Sequence, residues 1–241
     1  MVTIYEEKQL LPFISNDALF SAVETIINKA KSLEQSDKSF YKNAVDPFSA
    51  LFDASCSGIT LEQWVKQEKA RQRQKTLQNT IGEFHEEIIG NVPGWERLSV
   101  GHLIDVRNIE RKIIAEIKNK YNTTKGSDKK ALYDNLEFAL KGDYAGYTGY
   151  YVEIIPRNCG TYDKPFTPSD NKLKNKRAED ENIRVIDGCS FYELATGDEY
   201  ALQKLYKILP TVIREILGNN FTLDYRSESL FHELYSRAFI K

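Results

Sequence analysis

The spacing of apolar positions changes several times along the chain, and each change marks an element. From 17 to 33 they recur at Leu19, Val23, Ile26, Ile27 and Ala30, one face of an amphipathic helix capped by Asn16 or Asp17. After a polar loop at 36–39, Asp46-Pro47-Phe48 opens a short apolar element, Phe48 to Phe52, of one or two helical turns. Thr60 caps the next helix, with Gln63 placed to complete a capping box. This helix carries Trp64 and Val65, then a basic run, Lys66, Lys69, Arg71, Arg73 and Lys75, which reads either as a solvated surface or as phosphate contacts. The helical pattern continues, with or without a break, through Leu77, Ile81, Phe84 and Ile88. On that stripe Glu83 and Glu87 flank the apolar face, whereas Glu86 points away from it. Gly90 supplies a C-cap and Pro93-Gly94 a turn.

Beyond this turn the period shortens to that of strands. Trp95–Val100 reads as a first strand, 102–106 as a second and 112–118 as a third, the last with Ile113, Ile114, Ala115 and Ile117 in a run too short for a helix. A hairpin turn centred near Glu110 sets Asp105 roughly opposite Glu116, and strand alternation puts Glu116 and Lys118 on one face. A polar loop, a helix over 128–141 and a strand over 149–155 closed by Pro156 complete a right-handed crossover between parallel strands. Residues 157–182 show little periodicity, and an irregular segment of this length is usually functional or disordered. Ile183–Ile186 and Phe191–Leu194 read as short strands, followed by helices over 199–209, 211–217 and 227–239, with Pro210 ending the first of these. The expected fold is α/β, a mixed central sheet flanked by helices. It forms one domain with a core of about 77–196, a helical N-terminal segment over residues 1–76 and a helical C-terminal segment over residues 197–241.

Composition narrows the possible functions. Hydrophobic residues make up 41% of the 241 and charged residues 28%, as in an ordinary globular chain. No apolar run approaches the roughly 18 residues of a membrane span, and the first residues lack the basic-then-apolar layout of a secretory signal. Cys56, Cys159 and Cys189 are far apart and odd in number, which points to free thiols in a reducing compartment, the cytoplasm. His85, His102 and His232 are equally scattered, so a histidine metal cluster or a catalytic triad has little support. A net charge of −2 neither announces nor excludes a nucleic-acid partner.

The chemistry-bearing group that stands out is Asp105 with Glu116 and Lys118. Two convergent carboxylates are hard oxygen ligands for a divalent cation such as Mg²⁺. A neighbouring ammonium can orient a water or stabilise charge on a phosphate. The alternative is a same-face ion pair between Glu116 and Lys118, with Asp105 an ordinary strand-end residue.

The order of elements around Asp105 and Glu116-Ile117-Lys118 resembles the PD-(D/E)XK nuclease fold. The likeness is closer than the fold. The stretches Gln78–His85, Gly94-Trp95-Glu96, Ala115–Thr123 and Tyr162–Pro168 are similar to those of a type II restriction endonuclease family that cleaves GGNCC-type palindromes. It extends from about Asp46 to Leu217, with Ile104 where the nominal signature has proline. This resemblance implies Mg²⁺-dependent hydrolysis of double-stranded DNA, a prokaryotic cytoplasmic setting and a functionally paired DNA methyltransferase. It makes Asp105 and Glu116 metal ligands, joined by the Ile117 carbonyl, and Lys118 the residue that positions or activates water. Glu83 is the first choice for a completing acid from the helix, and Glu87 the second. A palindromic site suggests a homodimer. Candidate DNA contacts are Asn119, Lys120, Asn122, Lys125, Arg71, Arg73, Lys164, Lys172, Lys174 and Arg177; Asn119, Lys120 and Asn122 are best placed, just past the catalytic strand. A repair or recombination nuclease and a catalytically silent DNA-binding protein are the competing readings.

Overall fold

The computed structural model describes residues 8–32, 40–41, 44–99, 103–124, 126–170, 174–218 and 224–240. Its backbone divides into two compact units, Met1–Val23 with Gly82–Lys241, and Glu24–Ile81.

Local capping sets the ends of the first helices. Helix α1 spans Asn16–Ser32. In α2, Pro47–Ser57, the Asp46 side chain accepts from the Phe48 N–H at 2.9 Å, and Gly58 closes the helix at φ +63°. The expected capping box opens α3, Leu61–Gly90: Thr60 N–H donates to Gln63 Oε1 at 2.9 Å, and Gln63 N–H to Thr60 Oγ1 at 3.2 Å. Ala50, Ala54 and Trp64 form a small core, and the Trp64 indole N–H donates to Asp53 at 2.9 Å. Helix α3 runs unbroken for 30 residues; no proline interrupts it, and Gly82 is tolerated within it.

The strands of the larger unit are β1 Trp95–Arg97, β2 Val106–Asn108, β3 Ile113–Lys120, β4 Thr148–Ile155, β5 Asp163–Pro165, β6 Ser169–Asp170, β7 Asn175–Lys176 and β8 Ile183–Asp187. Six of them form a mixed sheet in the order β1-β2-β3-β4-β8-β5. β2 pairs antiparallel with β3, whereas β3, β4 and β8 run parallel. Helix α4, Gly126–Lys141, makes the expected crossover from β3 to β4. It packs Leu132, Tyr133, Leu136 and Ala139 onto Ile114, Tyr151, Ile183 and Val185, each such burial contributing roughly 1.5–3 kcal/mol for the large aliphatic side chains. Helix α5, Gly188–Thr196, contacts the other sheet side through Phe191, whose ring lies 5.5 Å from Trp95 and 6.3 Å from Tyr150.

Several expectations are corrected here. Phe191–Leu194 is helical. Asp187 caps α5 by accepting from the Ser190 N–H at 3.1 Å, and Phe191, Tyr192 and Ala195 are buried at helical spacing. The predicted break at Pro210 does not occur: one helix, α6, spans Ala201–Leu217. Its buried Leu205 and Val212 keep one stripe in phase across the proline, and that packing outweighs the lost backbone hydrogen bond. The first strand is shorter than expected, and the second lies further along, at Val106–Asn108 with Asp105 just before it; residues 100–102 lie outside the described ones. The segment 157–182 is neither wholly irregular nor strandless: it supplies the edge strand β5 and the small β6–β7 hairpin. The last helix, α7, spans Tyr225–Phe239.

Gly90 is where α3 meets β1. A Cβ there would lie 2.6 Å from the Arg97 Cβ and 2.8 Å from its backbone nitrogen. Gly90→Ala should therefore push the helix from the strand and cost about 1–3 kcal/mol, read as a fall of several degrees in the thermal unfolding midpoint. An unchanged midpoint would contradict this packing.

Candidate active site

The β2–β3 hairpin assembles the site. Val106 pairs with Ala115, so continuing that register places Asp105 opposite Glu116, as expected from the sequence. The Asp105 N–H donates to the Ala115 carbonyl at 3.0 Å. Asp105 Oδ2 accepts from the Ile117 N–H at 2.7 Å, which fixes the carboxylate against the middle of β3. Lys118 Nζ lies 2.5 Å from Glu116 Oε1 and 3.8 Å from Asp105 Oδ2. The partly exposed positions of β3 are Glu116, Lys118 and Lys120; Ile117 and Asn119 fall on the buried side.

The electrostatics fit this geometry. Burial, then Glu116, push the Asp105 carboxyl up to about 6, against the pull of Lys118 and the Ile117 N–H. Burial works against the Lys118 ammonium, but Glu116, Asp105 and Glu86 outweigh it and hold this group above its ordinary value. Lys118 is therefore a cation throughout the physiological range.

The helix acid that interacts electrostatically with this group is Glu86. Burial and Asp105 push its carboxyl up, opposed by Arg97 and Lys118. Arg97 holds Glu86 at 2.8 Å and Glu87 at 2.9 Å. Glu83, the first choice from the sequence, is exposed. The buried face of α3 includes His85 and Ile89 beside Phe84 and Ile88. At about 100° per residue these two additions turn the face by roughly 40°. That turn puts Glu83 opposite the buried face and leaves Glu86 on one flank of it and Glu87 on the other. His85 is buried because its Nδ1 shares a 2.8 Å hydrogen bond with the Tyr192 hydroxyl, and burial lowers its pKa to about 4, so it is neutral.

Next to the C-terminal ends of β3 and β4 lies a cleft of about 1080 Å³, whose lining includes Asn122, Lys129, Glu153 and Lys164. Lys164 is exposed, its ammonium 5.2 Å from the Tyr162 ring centroid. Lys174 is exposed at the β6–β7 turn with φ +52°. Arg177 is committed elsewhere: it pairs with Asp134, approaches Asp170 at 3.8 Å and stacks over Tyr133 at 5.6 Å. Asn119, grouped with Lys120 on sequence alone, is buried. Arg71 and Arg73 belong to the smaller unit; Arg71 is held by Glu68 at 2.5 Å and Arg73 is exposed. Lys125 and Lys172 lie outside the described residues. The sequence reading missed Glu153. Its signal was a lone acid inside the apolar strand Tyr150–Ile155.

A mixed sheet with two apposed carboxylates and a lysine near one end has the core of a restriction-endonuclease-like nuclease. The comparisons with known proteins go further. The family model of the Eco47II restriction endonuclease matches residues 11–218. The type II restriction enzyme Eco47II of Escherichia coli is 44% identical over 213 residues, 87% of this chain and 89% of that protein. The type II restriction enzyme Sau96I of Staphylococcus aureus is 32% identical over 234 residues, 95% of this chain and 89% of that protein. The chain belongs to the Eco47II restriction endonuclease family and is a type II restriction enzyme. No helix among the described residues is long and apolar enough to cross a membrane.

Asp105 carries a pH prediction. Its folded pKa is above the ordinary value, so its ionised form costs stability above about pH 6, and protonation on acidification relieves that cost. With EDTA present at about pH 8, Asp105→Asn should unfold at a higher temperature than the parent, by about 1–2 kcal/mol. The gap should close as pH falls towards 4. A variant less stable at pH 8, or a gap that widens in acid, would contradict the assignment.

Proposed function

We propose that the chain hydrolyses phosphodiester bonds of double-stranded DNA at a short GGNCC-type palindrome, with Mg²⁺ held by Asp105, Glu116 and the Ile117 carbonyl. The observation that carries this reading is the Asp105–Glu116 apposition with Lys118 between the two carboxylates. Paired acids whose mutual repulsion helps raise the Asp105 pKa suit a hard divalent cation, which would relieve that repulsion. When bound, the ion supplies Lewis-acid polarisation of the phosphoryl oxygen.

The chain's own residues do the rest. The Lys118 ammonium donates hydrogen bonds that orient the attacking water or stabilise charge on the phosphate. Glu86, restrained by Arg97, takes the completing-acid role first given to Glu83. Lys120, on the same partly exposed face as Lys118, and Asn122 and Lys164 in the cleft are the DNA contacts the geometry favours. Lys174, Arg71 and Arg73 serve as phosphate contacts, whereas Arg177 anchors the β6–β7 hairpin. Reading both halves of a palindrome calls for a homodimer. A cognate methyltransferase protecting the same sequence and a cytoplasmic setting belong to the same reading.

The test is digestion of plasmid DNA with Mg²⁺ or with EDTA. Discrete fragments with Mg²⁺ alone, and their loss in Glu116→Ala, are expected; wild-type cutting by that variant, or cutting in EDTA, would overturn the reading. Glu86→Gln should lower the cleavage rate roughly 10- to 100-fold, with Glu83→Gln close to the parent. The reverse order would return the helix acid to Glu83.

A further inference from the structure

The cleft beside the catalytic strand is lined from two sides. One set comes from the β3–α4 connection and the first turn of α4, including Asn122 and Lys129; the other comes from 157–169, including Arg157, Tyr162 and Lys164. Glu153 of β4 joins them. Its Oε1 accepts from Lys129 Nζ at 2.5 Å, and its Oε2 accepts from the Tyr162 hydroxyl at 2.6 Å. The Glu153 side chain is 8% exposed, and its strand position is in register with Lys118. Tyr162 is fixed on its other side, because its N–H donates to Asp187 Oδ2 at 2.6 Å. Burial, then the bond to Glu153, hold the phenol well above its usual range, so it stays a donor. Lys129 is likewise confined, its ammonium 5.3 Å from the Tyr151 ring centroid.

A buried carboxylate is costly unless it is paired and hydrogen-bonded, and Glu153 meets both conditions through Lys129 and Tyr162. Arg157 and Lys164 are exposed in the cleft, but the charge of Lys129 is spent on Glu153. We propose that Glu153 is an electrostatic mask. By neutralising Lys129 it removes one cation from the phosphate track and keeps affinity for DNA without the recognition sequence low. The inference rests on the DNA-cleaving reading above. Discrimination is a difference of affinities, and lowering the sequence-independent part widens it.

The test is fluorescence anisotropy of a labelled duplex lacking the site, in EDTA, over a series of salt concentrations. Each phosphate neutralised adds about 0.9 to the slope of log affinity against log salt. Glu153→Gln keeps an acceptor for Tyr162 and frees Lys129. It should bind severalfold tighter than the parent at low salt, with a slope steeper by about 0.9. Lys129→Gln leaves Glu153 bare and should bind more weakly, with no steepening. Glu153→Gln with the parental slope, or both variants equally weakened, would overturn the mask and leave a structural strut. If Glu153→Gln does not fold, Lys129→Gln decides: parental or tighter binding overturns the proposal. A parent that binds no duplex and cuts none would instead remove the underlying reading.

Discussion

The repulsion between Asp105 and Glu116 is the constraint on which the site depends. Two carboxylates do not share one end of a strand pair unless the backbone obliges them to. Here the β2–β3 register obliges them, and the Ile117 N–H pins Asp105 in place at 2.7 Å. Lys118 offsets part of the cost from within the same strand. Burial first, and then Glu116, keep the Asp105 carboxyl above its ordinary value on the well-buried sheet beneath it.

The helices on the two sides of the sheet have different tasks. Helix α4 supplies the crossover, most of one core face and the Lys129 that answers Glu153. The end of α3 carries Glu86, which Arg97 holds at 2.8 Å, and Gly90 lets that helix end approach Arg97 closely. Arg97 thereby serves packing and restrains Glu86 at once. Family membership, carried by the match over residues 11–218, agrees with this architecture.

The parts of the fold legible in the sequence were those fixed by local rules. The Thr60–Gln63 capping box, the crossover through 128–141 and the pairing of Asp105 with Glu116 each follow from spacing over a few residues. Where long-range packing decided, the structure departs from the reading. A hydrogen bond to Tyr192 lets the polar His85 be buried, which widens the buried face of α3 beyond the Phe84–Ile88 stripe and leaves Glu83 exposed. Asp187 acts as a cap only because β8 ends there, so α5 read as a strand. Arg177 looked like a free cation until Asp134 and Tyr133 met it from α4. A near-neutral chain likewise conceals how its charge is spent, as in the pairing of Lys129 with Glu153.

The measurement that tests this account most directly is thermal unfolding of the DNA-free protein during titration with Ca²⁺, a hard cation that can occupy carboxylate sites. If Asp105 and Glu116 are held in repulsion for a divalent ion, the unfolding midpoint of the parent should rise with Ca²⁺, and Asp105→Asn and Glu116→Gln should each lose most of that rise. A parent whose midpoint does not move, or variants that respond as the parent does, would contradict the claim that this pair is the metal-binding centre.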